Sequence, residues 1–338
     1  MALTTDHKAA YLTQTGSLPF ALPPRVEINE VGPRDGFQLE KKTIATPDKV
    51  AIIDALARTG IRRMQITSFV RPDAVPQLTD ADEVMESITR APGVEYTVLV
   101  PNLRGAQRAL RHGADCWDLM LSTTDAHSLA NANRTTADTL TSLREVVDLA
   151  GEHSIDLAAG LGTALGCPFE GRVGYDRIAW VVGSLREMGV RRAVICDTVG
   201  VADPGWVYEV CSRLTREFPD MILALHLHDT RGLALANVLA GLAAGITNFD
   251  SSVGGLGGCP FAPGASGNVA TEDLVHMLDL LGVETGVDLD AMIGIARELV
   301  APVVDHPLES SLPRSGPSWQ VYEAPGAQQL PRTPVPTA

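Results

Sequence analysis

Positive charge is scarce in this 338-residue chain: 27 Lys and Arg stand against 41 Asp and Glu, a formal net charge of −14, with a sequence pI near 5.0. No basic run exceeds the doublets Arg62-Arg63 and Arg191-Arg192. A phosphate backbone or an anionic membrane surface would repel such a chain, so neither nucleic acid nor a membrane is expected as partner. Cysteine is sparse as well. Cys116, Cys167, Cys196, Cys211 and Cys259 are odd in number and none forms a C-x-x-C pair, which argues against a disulfide framework or a paired-cysteine zinc site and fits a reducing compartment. No apolar run reaches the ~18 residues of a membrane span. The opening M-A-L-T-T-D-H-K-A-A-Y has neither the basic head nor the apolar core of an export signal. A soluble, cytoplasmic protein is expected.

What is present is a 45% apolar composition and a regular alternation. From Arg25 to about Gly286 a short β-branched run is followed by a turn and then by an amphipathic stretch of helical period. Eight strands are read at Val26–Val31, Arg63–Thr67, Val94–Val100, Cys116–Leu121, Ile155–Leu161, Ala193–Asp197, Ile222–His228 and Asn248–Ser252. Helix starts are marked by Thr46-Pro47-Asp48 before Lys49–Arg58 and by Asp203-Pro204 before Gly205–Arg216, each a small polar residue with Pro in the first turn. Eight β/α repeats predict an α/β fold of the (β/α)₈ TIM-barrel type. The rival, an open doubly wound sheet, lacks its G-x-G-x-x-G after the first strand. The expected organisation is an N-terminal extension (1–24), a barrel (25–305) with an extra C-terminal helix at Asp288–Leu299 packed beside it, and a Pro-rich, disordered tail (306–338).

In such a barrel, chemistry belongs at the carboxyl ends of the strands. Past strand one, N-E-V-G-P-R-D-G-F-Q sets Arg34 and Asp35 in a turn shaped by Gly32, Pro33 and Gly36; an ordinary Asp-Gly turn is the plain alternative. Strand seven ends in L-A-L-H-L-H-D-T. Residues two apart share a strand face, so His226 and His228 project together as half of a metal site or as a hydrogen-bonded core pair. After strand eight, Val253 to Asn268 holds six glycines and two prolines. That segment reads as a mobile loop carrying Cys259 to the site, with Asn268 returning to the barrel top.

These stretches, together with T-S-F-V-R-P, A-L-G-C-P-F-E-G and G-G-L-G-G-C-P-F-A-P-G-A-S-G-N-V-A-T-E-D-L, resemble the 3-hydroxy-3-methylglutaryl-CoA lyase family from Val26 to about Leu281. That family belongs to the metallolyase superfamily sharing the R-D-G-x-Q turn with isopropylmalate and homocitrate synthases. The resemblance implies a divalent cation, Mg²⁺ or Mn²⁺, held by Asp35, His226, His228 and Asn268. It implies retro-Claisen cleavage of an acyl-CoA thioester into a ketone and an acetyl-CoA enolate, with Arg34, Asp35, His226 and Cys259 as the catalytic set. In this scheme Arg34 stabilises the enolate and Cys259 protonates it. Substrate contacts are implied for Arg34, Gln38, Lys41, Gln65, Thr198 and Arg231, with the Cys167–Glu170 turn and Asp197 nearby, and the assembly implied is a homodimer. No nucleotide fingerprint marks the CoA arm, for which the rim residues Arg71 and Arg104 are candidates.

Two positions depart from the family pattern. Gln65 stands where E-x-[ST]-S-F-V has its glutamate, and Arg231 where H-D-T-Y-G has its tyrosine. Both shift the local charge upward. Either the site takes a different or more anionic substrate, or turns over slowly, or Gln65 keeps the hydrogen bond while Arg231 lies in solvent. Two rival functions are a Claisen-type acyl-CoA/2-oxo acid synthase, against which the Cys259 loop argues, and a catalytically silent metal-binding barrel.

Overall fold

The computed structural model describes residues 3–6, 8–13, 16–258 and 267–322. Eight parallel strands close a barrel in sequence order: β1 (Glu27–Glu30), β2 (Arg63–Ser68), β3 (Glu95–Leu99), β4 (Cys116–Ser122), β5 (Asp156–Gly162), β6 (Arg192–Asp197), β7 (Ile222–Leu227) and β8 (Asn248–Ser251). The ring is shut by β8 pairing β1, from Glu27 with Asn248 to Glu30 with Ser251. Every expected strand is present, with each end within one residue of its expected place.

The helices form an outer layer: α1 (Thr46–Leu56), α2 (Ala81–Ser87), α3 (Leu103–Ala109), α4 (Asp125–Ala132), α5 (Thr136–Glu152), α6 (Tyr175–Glu187), α7 (Pro204–Glu217), α8 (Ala234–Ala243), α9 (Thr271–Leu280) and α10 (Leu289–Ile295). α7 shows why they form. Asp203 accepts from Trp206 N at 3.0 Å and Pro204 sets the first turn. Val207, Val210, Cys211 and Leu214 recur at helical spacing and are fully buried, each aliphatic side chain contributing roughly 1.5–3 kcal/mol on leaving water. The start of α1 differs from expectation. Thr46 lies inside the helix, capped by Ala45 without a side-chain bond, because its hydroxyl donates to Asp80 at 2.9 Å. α10 packs against α1 and α9, as expected of a helix beside the barrel.

Residues 306–322, expected as tail, instead pack on the barrel. Leu308, Leu312 and Trp319 are buried, and Gln320–Tyr322 pairs antiparallel with Leu3–Asp6. The physical reason is local. Glu309 N and Ser310 N both donate to Gly254 O at 3.1 Å, and Asp273 accepts from the amides of Ser311 and Leu312. The segment Gly326–Ala338 lies outside the described residues.

The large apolar core lies between strands and helices. Inside the barrel the apolar cluster is only Val194, Cys196 and Ala224. Beside Leu99, Leu119, Met120 and Ala158, that interior is lined by the polar Asn29, Arg63, Gln65, Asp118, Arg192, His226 and Asp250, where barrels of this type carry bulky branched side chains. No helix among the described residues is long and apolar enough to cross a membrane.

Candidate functional site

β1 stops at Glu30 and the chain turns at once. The amides of Arg34, Asp35 and Gly36 all point at the Val31 carbonyl, at 3.1, 2.7 and 3.4 Å, giving one π-type turn over Gly32–Gly36 of a kind frequent at functional sites. The turn sits on Glu30, whose carboxylate accepts from Gly32 N (2.8 Å), Val253 N (2.9 Å) and the Thr271 hydroxyl (2.6 Å). Arg34 and Asp35 are thereby buried at the barrel mouth.

With only β8 between it and β1, β7 carries His226 near its end, and His228 follows it. His228 is paired with Asn268 in an antiparallel bridge, and Val269 N donates to Leu227 O at 2.9 Å. The expected return of Asn268 to the barrel top is therefore observed. The two Nε2 atoms lie 3.1 Å apart, with Asp35 Oδ2 at 3.8 Å from one and 4.0 Å from the other. Asn268 Nδ2 donates to the same Asp35 oxygen at 2.8 Å. All four residues are buried, and Asp35, His226 and His228 form a group able to hold a metal ion.

The electrostatics suit a cation. Burial opposes ionisation of Asp35, but Arg34 and the two imidazoles outweigh it and hold its pKa at about 2, so it is a carboxylate. Burial, with His226 beside it, pushes His228 down to about 3, a neutral ligand. His226 is also buried, yet Asp250 and Asp35 together raise its pKa above the ordinary value. Its Nδ1 faces Asp250 Oδ2 at 3.1 Å, and Asn29 Nδ2 fixes the other Asp250 oxygen at 2.9 Å. That carboxylate–histidine pair sets the tautomer and turns the Nε2 lone pair toward Asp35. Asn268 Oδ1 and His228 Nδ1 are buried without a hydrogen-bond partner among the described residues. A carbonyl oxygen left bare beside a carboxylate and two imidazoles is a donor set that fits an octahedral divalent ion. Gly257 completes the cradle. With φ +120°, its bare Cα lies so close that a Cβ there would come 2.5 Å from Asn268 Nδ2.

The other residues read from the sequence divide. Gln38 joins the cluster, donating to Asp35 Oδ1 at 2.9 Å. Gln65 joins it too, its carbonyl accepting from Arg34 Nε. Thr198 is half-buried and accepts from Thr163 N at 2.8 Å, an internal loop contact. Arg231 is exposed and its Nη1 donates to the carbonyls of Val199 (3.0 Å) and Gly200 (2.9 Å). It braces the loop after β6, so the expectation that it adds a substrate-facing cation finds no support. Lys41 is exposed in the bend before α1, and Arg71 is exposed and paired with Asp73 at 3.2 Å; Arg104, at the start of α3, is exposed as well. Cys167 is buried, with the Thr124 hydroxyl 3.1 Å from its sulfur, a packing role at that turn. Asp197 is buried, which raises its pKa, and accepts from Val201 N and Ala202 N. Cys259 lies outside the described residues. Sequence reading missed Asp250, Asn29, Glu30, Asp118 and Glu272. For Asp250 a signal was available: an acid two residues from the end of the barrel-closing strand pattern N-F-D-S-S.

Comparison with known proteins agrees with this geometry. A profile of the family described as HMGL-like matches residues 25–299. The chain is 44% identical over 275 residues to hydroxymethylglutaryl-CoA lyase YngG of Bacillus subtilis, covering 81% of this chain and 92% of that one. It is 44% identical over 273 residues to the mitochondrial hydroxymethylglutaryl-CoA lyase of Gallus gallus, with the same coverages. A solved structure of an HMG-CoA lyase from Acinetobacter baumannii, in complex with coenzyme A and 3-methylmalate, superposes with a TM-score of 0.85 at 39% identity, covering 89% of this chain and 98% of that one.

Proposed function

Given that the chain belongs to the HMGL-like family, we propose that it is a divalent-metal-dependent carbon–carbon lyase. It cleaves 3-hydroxy-3-methylglutaryl-CoA, or a closely similar 3-hydroxy-acyl-CoA, to acetyl-CoA and a keto acid, acetoacetate for the standard substrate. The observation that carries this reading is the buried convergence of Asp35, His226, His228 and Asn268 at the carboxyl end of the barrel, with Arg34 alongside. Coenzyme A in the Acinetobacter baumannii relative supports a CoA thioester as substrate.

Mg²⁺ or Mn²⁺, held by Asp35, His226, His228 and Asn268, would supply the Lewis acidity that makes the substrate's tertiary hydroxyl easier to deprotonate. The chain's own residues do the rest. Asp35 and His226 are the titratable groups positioned to take the hydroxyl proton. As that proton leaves, its electron pair forms the ketone carbonyl. The adjacent carbon–carbon bond breaks, and its electrons pass to the thioester as an enolate. The Arg34 guanidinium, fixed by Asp35 at 2.6 Å, stabilises the enolate oxygen. Cys259, on the glycine-rich segment, returns a proton to the enolate carbon. The enzyme is further read as a cytoplasmic homodimer.

The test is release of acetyl-CoA and acetoacetate by purified protein stripped with a chelator and reloaded with Mg²⁺ or Mn²⁺. Activity that follows metal occupancy is expected. Failure of the metal-loaded protein to cleave any 3-hydroxy-acyl-CoA in a panel, or condensation of an acyl-CoA with a 2-oxo acid instead, would overturn the proposal.

A further inference from the structure

The polar interior of the barrel contains a relay that reaches Arg34 from below. Asp118, on β4, is buried, and its carboxylate collects three donors. Arg63 Nη2 reaches Oδ1 at 3.0 Å, while the Thr97 hydroxyl and Gln65 Nε2 both donate to Oδ2. Arg63 is held from its other side by Glu95 at 2.6 Å. Gln65, between Asp118 and Arg34, donates to the first through its NH₂ and accepts from Nε of the second through its carbonyl. Arg34 Nη1 is on Asp35, and Nη2 makes no hydrogen bond to a described residue.

A side-chain amide can point either way, and its partners decide. Here both partners are one-sided: an ionised carboxylate only accepts, and a guanidinium Nε–H only donates. Reversing the amide would set two donors against each other at Arg34 and two acceptors against each other at Asp118. Both buried bonds would then be lost. We propose that Asp118 is a positioning residue for the reaction: it fixes the amide of Gln65, which in turn aims the Arg34 guanidinium so that Nη2 is presented to the substrate. The proposal rests on the reading of Arg34 as the group that stabilises the enolate.

The relay explains why Gln, not Glu, stands at position 65. A glutamate there would lay its carboxylate against that of Asp118 in a buried site, where like charges cannot both persist. The two positions are therefore coupled. When Asp118→Asn accompanies Gln65→Glu, the amide introduced on β4 donates through its NH₂ to the new carboxylate on β2. That carboxylate still accepts from Arg34, while the oxygen of the introduced amide keeps Arg63.

The experiment is a double-mutant cycle on the metal-loaded enzyme with Q65E, D118N and Q65E/D118N. Q65E is expected to lose about 100-fold in kcat and D118N about 10-fold, with KM within about 3-fold of wild type, since an interaction made in the transition state is what is lost. The double variant is expected to recover to within about 5-fold of wild-type kcat. Neither varied side chain hydrogen-bonds to a proposed metal ligand, so Mn²⁺ affinity should stay within about 3-fold throughout. A crystal structure of the double variant should keep Arg34 Nε on the residue-65 oxygen, and one of Q65E should not. A Q65E enzyme as active as wild type, a double variant no better than Q65E, or a D118N loss appearing in KM alone would overturn the relay. Should Q65E fail to fold, the D118N split between kcat and KM decides. A wild-type protein that cleaves no thioester would overturn the proposed reaction instead, leaving the Arg34 contacts in the variant structures to judge the relay.

Discussion

The carboxyl of Glu272, second residue of α9, is fully buried, and both its oxygens lie within 3.1 Å of Gly254 N at the stem of the glycine-rich segment. Burial raises its pKa to about 8, against the smaller opposing effect of backbone N–H donors and with Glu30 adding to the rise. Between pH ~4.5 and ~8 the folded protein therefore holds a proton that the unfolded chain releases. The stabilisation is complete below pH ~4.5 and is lost as pH rises through the folded pKa. Each pH unit inside that window costs about 1.4 kcal/mol, so raising pH from about 5.5 to 7.5 removes up to about 3 kcal/mol through this one group. For a domain of this size about 2 °C accompanies each kcal/mol, which gives a fall in Tm of about 6 °C. Glu272→Gln keeps the shape and removes the proton exchange. Its Tm should drop about 6 °C less than that of wild type over the same interval, while retaining the slope due to Glu30, whose pKa burial raises to about 7. The measurement is calorimetric or circular-dichroism unfolding of both proteins at several pH values. Parallel profiles would show that Glu272 is ionised in the native state and that the buried, neutral carboxyl is wrong.

Three further outcomes are expected. Asp250→Asn, which replaces the acceptor on His226 Nδ1, should weaken Mn²⁺ binding about 10–100-fold by titration calorimetry; unchanged affinity would remove Asp250 from the metal-supporting set. Gly257→Ala drives a Cβ into the Asn268 amide at a positive φ and should lower Mn²⁺ affinity at least about 10-fold; an equally tight site would mean the backbone there is free to retreat. Cys259→Ala should cut turnover by about 10²–10⁴ with metal affinity unchanged, as befits loss of a proton donor, and full turnover would assign the protonation elsewhere.

The strands were legible because each is a short β-branched run between turn residues, and parallel strands covered on both faces need no alternation to betray them. Asp203 as cap of α7 was legible for the same local reason, since the cap and its N–H lie three residues apart. Thr46 was not: the same pattern failed because Asp80, 34 residues on, takes its hydroxyl. The site divides in the same way. Turn and strand spacing make Arg34, Asp35, His226 and His228 candidates, and their roles came only with the family resemblance. Glu30 and Glu272 look in sequence like solvated acids. What buries them is Val253, Gly254 and Thr271 arriving from elsewhere in the chain. The Asp118–Gln65 contact likewise spans two strands that are not neighbours in the barrel, a pairing no local pattern announces.

The overall charge of −14 does not describe the barrel interior, where guanidinium groups and carboxylates stand together. The interior is lined by Arg34, Arg63 and Arg192 together with Asp118 and Asp250, and each guanidinium is tied: Arg34 to Asp35, Arg63 to Asp118 and Glu95, Arg192 to Glu27 at 3.0 Å. The buried pairs among them, Arg34–Asp35 and Arg63–Asp118, are poor sources of stability, because desolvation consumes most of their attraction. Their consequence is orientation. Arg34 shares Asp35 with the metal-ligating cluster, so a cation bound there would compete for the same carboxylate and leave Arg34 less neutralised. With Gln65 uncharged, that freed positive charge has no second acid bonded to it among the described residues. Glutamine at position 65 thus keeps the geometry of a glutamate contact while leaving Arg34 more electropositive toward an incoming oxyanion. That is the direction in which an acidic protein must depart from its mean charge to bind an anionic thioester.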